Sequence, residues 1–338
     1  LWFSMSIINL RRLVQILFLA LFLFLFLQTT LVGENETVAW PTFFFDIDPL
    51  VFVSTYIASG SVLQRMWLAL IVVGLTLLLG RVFCGWICPL GTLFNFISAC
   101  RKSPLARWIQ TGTWDRWQKA KYLLLVGLLV AALCGLHLVG IFDPLPLLYR
   151  TVATSIYPAL DWGVEEIFTW LYATDPGIGP VRVTVVSEPV YAFLRAHLLT
   201  PKPTAYDGGV LIGALFILLA VLALIRFRFW CRYICPLGAL LGLCSKFSKV
   251  ELHNDIQQCD HCKLCVAFCH GACDPHLADD WKKQECMLCF NCREQCPHGA
   301  ISFRWSWFGQ SKQIIPPCPP QKIKKKIESQ NDETETEE

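Results

Sequence analysis

The chain has 338 residues, 54% of them hydrophobic and only 16% charged, with a positive mean hydropathy. So apolar a composition argues against an ordinary soluble domain and for a membrane protein carrying a small polar appendix. A formal net charge of +3 excludes the strongly basic surface that nucleic-acid binding needs, and 17 cysteines put the redox compartment in question at once.

Four stretches are apolar enough, and near enough to the roughly 20 residues a bilayer requires, to predict membrane spans. The first, Leu13–Val32, follows Arg11-Arg12. A twin-arginine export signal is the alternative there, but the run is rich in Leu and Phe and lacks a small-residue cleavage site, which predicts a retained anchor. After it comes Ile47-Asp48-Pro49-Leu50, where Asp before Pro is the usual start of a short helix, Asp capping and Pro at its first position. A role for this Asp-Pro pair in quinone or partner docking is the second reading. The second span, Met66–Phe83, runs directly into Cys84-Gly85-Trp86-Ile87-Cys88-Pro89-Leu90-Gly91. Thr92–Trp117 is amphipathic and basic, suited to the surface of the inner leaflet.

The third span, Tyr122–Ile141, holds His137, the one histidine of seven within a predicted span. A membrane haem held by two histidines would need another at the same depth, so His137 reads as a polar residue near the outer interface. No CxxCH occurs, and no covalent haem is expected. Phe142-Asp143-Pro144-Leu145 then repeats the Asp-Pro-Leu string. Tyr149–Asp207 reads as an outer insertion of one or two interfacial helices and a short extended piece, Val181–Val186, forming a docking surface or a lid. The fourth span, Val210–Ile225, is short, and Cys231-Arg232-Tyr233-Ile234-Cys235-Pro236-Leu237-Gly238 follows it.

The order span, Asp-Pro-Leu, span, CxxxCPLG therefore occurs twice. Lys and Arg cluster before the first span, between the second and third, and after the fourth, which predicts both termini inside. Two spans per half give both halves the same orientation, related by an axis along the membrane normal. Cys84, Cys88, Cys231 and Cys235 would then lie at one depth near the cytoplasmic face, each pair four residues apart on one helical side. Three readings are open for them: a shared metal or iron–sulfur site, redox-active dithiols, or small core residues.

Beyond residue 250 the chain turns polar and carries Cys259-x2-Cys262-x2-Cys265-x3-Cys269, then Cys286-x2-Cys289-x2-Cys292-x3-Cys296-Pro297. Eight cysteines in this spacing predict two [4Fe–4S] cubanes, three ligands of each run on one cluster and the fourth crossing to the other. Zinc fits less well, since a structural zinc site has no use for a third cysteine two residues on. The first run lacks the usual proline and continues His270-Gly271-Ala272-Cys273, so Cys273 is an alternative to Cys269 as the remote ligand. Such clusters belong in a reducing compartment, which agrees with the charge bias. The segment from residue 306 to 338, with Cys318 among prolines and a basic then acidic run, is expected to be disordered and ligand-free.

The two CxxxCP strings with a C-terminal two-cluster module resemble the NapH/NosR-type membrane polyferredoxins, over roughly Arg11 to Phe303. The resemblance implies a bacterial inner-membrane protein moving electrons between a quinone pool or cytoplasmic donor and an outer acceptor. In that family Cys84, Cys88, Cys231 and Cys235 take the membrane-motif role, and the cysteines from Cys259 to Cys296 the cluster role. The outer flavin domain of the NosR type has no counterpart in this chain.

The expected fold is mainly α: a four-span transmembrane domain with an internal two-fold repeat (residues 1–250), a small α+β two-cluster ferredoxin domain (251–305), and a disordered tail. The expected function is a membrane electron-transfer subunit working with the bilayer, a quinone, and a periplasmic or membrane oxidoreductase or cytochrome. No acid–base or nucleophilic constellation stands out. The alternatives are an assembly factor that reduces metal or thiols for a respiratory enzyme, and a redox sensor.

Overall fold

The computed structural model describes residues 6–31, 43–60, 64–100, 112–174, 177–178, 181–182, 184–197, 208–255, 257–276 and 281–306. Most of the described chain is helical. In order come α1 (Ile7–Leu31), α2 (Phe43–Asp46), α3 (Pro49–Ser59), α4 (Leu68–Leu79) and α5 (Pro89–Ala99). Then follow α6 (Ala120–Leu133), α7 (Val139–Phe142), α8 (Pro144–Thr151), α9 (Tyr157–Thr174) and α10 (Thr184–His197). The helical part closes with α11 (Gly209–Ile225), α12 (Phe229–Tyr233) and α13 (Pro236–Ser245).

Only α1, through Ile7–Thr29, is long and apolar enough among the described helices to cross a bilayer. α11 covers the expected fourth span, Val210–Ile225, whereas α4 and α6 end short of expectation at glycines. α4 stops at Gly80, whose φ of 95° is outside the helical region, rather than continuing to Phe83. α6 stops before Gly135 (φ 78°), not at Ile141, and this leaves His137 exposed in a loop beyond the helix. A 3₁₀ turn, Arg116–Lys119, lengthens α6 at its start. The extended piece expected at Val181–Val186 is also corrected: Gly177–Ile178 (β1) pairs with Val181–Arg182 (β2), and Thr184 already begins α10. Of the basic segment Thr92–Trp117, α5 takes the residues to Ala99; residues 101–111 and the tail from 307, with Cys318, lie outside the described residues.

The packing of the helices comes in exchangeable pairs. α1 lies against α5 and α6 against α13; α4 lies against α13 and α11 against α5. Likewise α3 meets α4 and α13, while α8 meets α11 and α5. The core between them is closed by the leucines that follow each proline: Leu50, Leu90, Leu145 and Leu237 are all buried. Outward, α1, α4, α6 and α11 present bare aliphatic side chains, among them Leu17, Ile71, Leu123 and Leu211.

The cysteine-rich module is closed by an antiparallel pair, β3 (Val250–Asn254) with β4 (Ile301–Trp305), in register from Val250↔Trp305 to Asn254↔Ile301. Its core, with Leu252, Val266, Trp281 and Ile301, is small. The module is not suspended from the helices but seated on them: α13 packs on residues 283–285, and Lys249 N donates to Leu78 O at 3.0 Å.

Candidate metal centres

Each CxxxCP motif is built the same way. Cys84 lies in a single π-helical turn, Phe83–Ile87, closed by Cys88 N donating to Phe83 O at 2.9 Å. In the second half Cys235 N donates to Trp230 O at 2.9 Å, across the same five residues. Such wide turns appear mostly at functional sites, because they re-aim a side chain without ending the helix. Cys88 and Cys235 then occupy the N-cap positions of α5 and α13, with proline next, so each sulfur meets the positive end of a helix. The Gly238 amide donates to Cys235 Sγ at 3.2 Å. All four cysteines are buried, and Cys235 lies within the electrostatic reach of Cys231, Cys84 and Cys88. The two motifs, far apart in the chain, are therefore neighbours in space.

Around these sulfurs and the adjoining cysteine runs lies a shell of buried cations: Arg11, Arg81, Lys121, Arg228 and Arg232, none more than 2% exposed. Arg81 and Arg228 stand three residues before Cys84 and Cys231, a pairing visible once the repeat strings are extended upstream by three positions. Each serves the opposite half or the module. Arg228 Nη1 donates to Cys84 O at 3.1 Å and to Met287 Sδ at 3.2 Å. Arg81 donates to Gln284 O at 3.0 Å and pairs with Glu285 at 3.3 Å. Lys121 also pairs with Glu285, and Tyr122 donates to it at 3.0 Å. Among the described residues Glu285 is the buried acid that pairs with any of these cations. Nε and Nη2 of both Arg81 and Arg228, and Nε of Arg11, have no acceptor. Leaving guanidinium groups buried and unmatched costs several kcal/mol per ion, so the shell favours anionic groups beside it.

The two cysteine runs lie side by side: Cys265 feels Cys262, Cys269, Cys259 and Cys296, while Cys292 feels Cys289, Cys269, Cys286 and Cys265. Cys269, Cys273, Cys286, Cys289 and Cys292 line one small cavity, together with Met287, Phe290, Phe303 and Gly271. Five thiols and an apolar wall are donors of the right kind for a cubane. Cys269 Sγ and Cys273 Sγ are 3.4 Å apart. The hydrogen bond from Cys273, with the Cys273 and Gly271 amides and the Arg232 guanidinium, pulls the Cys269 thiol down to about 7. The same contact pushes Cys273 up. Of the two, Cys269 is the sulfur prepared to be a thiolate. Among the described residues no three acidic, His or Cys side chains stand at the spacing of a bare ion. A cubane holds its four cysteine sulfurs further apart than a single ion does.

The module and the motif touch through backbone. A Cβ on Gly85 would lie 2.3 Å from Met287 O, and Trp86 Nε1 donates to Leu288 O at 3.0 Å. Arg11 Nη1 donates to Cys289 O at 2.6 Å, and Gln15 Nε2 to Gly85 O at 2.6 Å. Arg232 reaches Cys269 O at 2.7 Å and His270 O at 3.0 Å. The second cysteine run thus rests directly on the first CxxxCP turn. Sequence reading found the sulfurs and missed the arginines, Gln15, Lys121 and Glu285, because isolated charged residues near a membrane segment read first as topology signals.

A family profile described as a 4Fe-4S binding domain matches residues 66–107 and again 208–253, each match holding one CxxxCP motif. The chain is 28% identical to the ferredoxin-type protein NapH of Escherichia coli over 77% of itself and 75% of the relative. It is 27% identical to an uncharacterised protein of Methanocaldococcus jannaschii over 75% of itself and 76% of the relative. It is 30% identical to the protein NirI of Paracoccus denitrificans over 75% of itself but only 28% of that longer chain. No solved structure matches. The chain is thus similar to the NapH/NosR-type polyferredoxins.

Proposed function

We propose that this protein is a membrane-bound electron-transfer subunit. It passes electrons between a cytoplasmic-side two-[4Fe–4S] module, a CxxxCP thiolate site shared by its two halves, and a quinone or partner redox protein. The observation that carries this reading is the backbone contact of Met287 with Gly85, which seats a cluster-binding run against the CxxxCP cysteines. Cys259, Cys262, Cys265 and Cys296 would hold one cubane, and Cys286, Cys289, Cys292 and Cys269 the other. Cys84, Cys88, Cys231 and Cys235 would hold a further cluster or metal. When bound, these groups supply one-electron carriers whose potential follows burial, charge and hydrogen bonding.

The chain's own residues do the rest. Arg81, Arg228 and Arg11 offset anionic sulfur, the N-termini of α5 and α13 favour it, and the apolar shell keeps water away. Membrane placement is supported by the outward aliphatic faces of α1, α4, α6 and α11, by the paired packing of the two halves, and by the double match of one family profile. Short helices in contact with Asp-Pro-Leu and CxxxCP half-helices are compatible with a bilayer if irregular backbone is covered by protein.

The test is the double variant Cys88→Ser/Cys235→Ser in the full-length protein, purified without oxygen. Both cubane signals should persist in EPR while reduction by a quinol or by a co-purifying partner is lost. Unchanged reduction would remove the CxxxCP site from the pathway.

A further inference from the structure

The Asp-Pro-Leu strings are not consumed by the electron-transfer reading. Asp48 and Asp143 open α3 and α8, one in each half, and both are 0% exposed. α3 packs against α7, whose last residue, Phe142, precedes Asp143, and each carboxyl is the other's ionisable neighbour. Their surroundings differ in one respect. Asp48 Oδ1 accepts from Leu50 N at 2.9 Å and Val51 N at 3.4 Å, so the α3 N-terminus holds it as an anion. Asp143 sits at the same helical position with no capping bond, and neither of its oxygens has a formed hydrogen bond; Asp48 Oδ2 has none either.

No described cation answers the pair. On α6, Lys121 and Tyr122 turn to Glu285. On α8, Tyr149 reaches Thr29 at 3.2 Å and Arg150 is exposed. Two carboxylates side by side, dry and without a counter-ion, cannot both keep their charge.

We propose that Asp48 and Asp143 form a proton-binding site between the two halves of the helical domain, with one proton held across the pair. Asp143, which lacks amide donors, carries the proton and directs it at Asp48, which keeps the charge. The site needs no metal and stands apart from the cysteines.

Infrared spectroscopy of the full-length protein in lipid, with aspartate labelled by ¹³C at its carboxyl, reads this directly. At neutral pH a protonated-carboxyl C=O band should appear, move with the label and shift in heavy water. Asp143→Asn, whose amide can replace the donated hydrogen bond, should abolish the band. Asp161→Asn, at the other buried aspartate of the described chain, should leave it unchanged. If Asp143→Asn does not fold, the wild-type band and its persistence in Asp161→Asn decide the matter. Absence of a label-sensitive band, its survival in Asp143→Asn, or its loss in Asp161→Asn overturns the proposal.

Discussion

A methyl group at Gly85 would come to rest 2.3 Å from the carbonyl oxygen of Met287, with backbone on both sides of the contact and no flexible side chain to yield. Gly85→Ala should therefore cost about 1–3 kcal/mol, the usual scale for overpacking. Its effect falls on one seam: urea unfolding should weaken while iron content stays at the wild-type level. At the cysteines, the hydrogen bond that prepares Cys269 as thiolate makes Cys273 the dispensable member of the pair. Cys273→Ser should keep both cubanes; Cys269→Ser and Cys289→Ser should each lose one, about half of the ferredoxin iron by metal analysis. Equal loss in Cys273→Ser and Cys269→Ser would show that the pairing is misjudged. His276 is held low, to about 4, by burial first and then by Lys263 and His261. Its folded value lies below the unfolded one, so the unfolded chain takes up the proton first. Stability should fall as pH drops from about 6.5 toward about 4, and His276→Gln should flatten that window in denaturant titrations.

Between elements, magnitude separates two ion pairs that a list of contacts would treat alike. Arg226 and Asp115 meet at 3.5 Å with side chains 38% and 28% exposed. Water screens such a pair, and Asp115→Asn should cost no more than about 1 kcal/mol. Glu285 joins Arg81 of the segment after α4 and Lys121 of α6 to the module, all of them nearly inaccessible. Removing its charge leaves two buried cations unanswered, a loss of about 3–5 kcal/mol by the general behaviour of buried pairs. Glu285→Gln should thus unfold at far lower urea than Asp115→Asn; similar midpoints would mean that water reaches the network.

At the scale of the whole molecule, the helical domain and the cysteine-rich module share one buried seam, so the orientation of either fixes the other. The charge bias and the need of the clusters for a reducing compartment both predict a cytoplasmic C-terminus and an outer 149–207 segment. Alkaline phosphatase fused at Gly179 should be active and the same enzyme fused at the C-terminus inactive. Activity at the C-terminus alone would invert the orientation, and activity at both would break the two-halves arrangement.

Ligand spacing is a local property, and the sequence by itself therefore determined the two cysteine runs as runs, the twofold CxxxCPLG strings and the helical character of the apolar stretches. It also placed Asp48 and Asp143 at helix starts, although only Asp48 uses its side chain as a cap. Where the apolar helices stop was less legible, because hydropathy runs on through Gly80 and Gly135 while the backbone does not. Contacts across 200 residues and more are not written in any window of sequence. Only the tertiary structure decided that Arg81 and Arg228 answer the opposite half and the module, and that Met287 lies on Gly85. It alone brought the two aspartates to packed helix starts and set Cys273 Sγ 3.4 Å from Cys269 Sγ. The physical reason is common to all four: burial and charge matching depend on what packs against a residue, and that is settled by the fold.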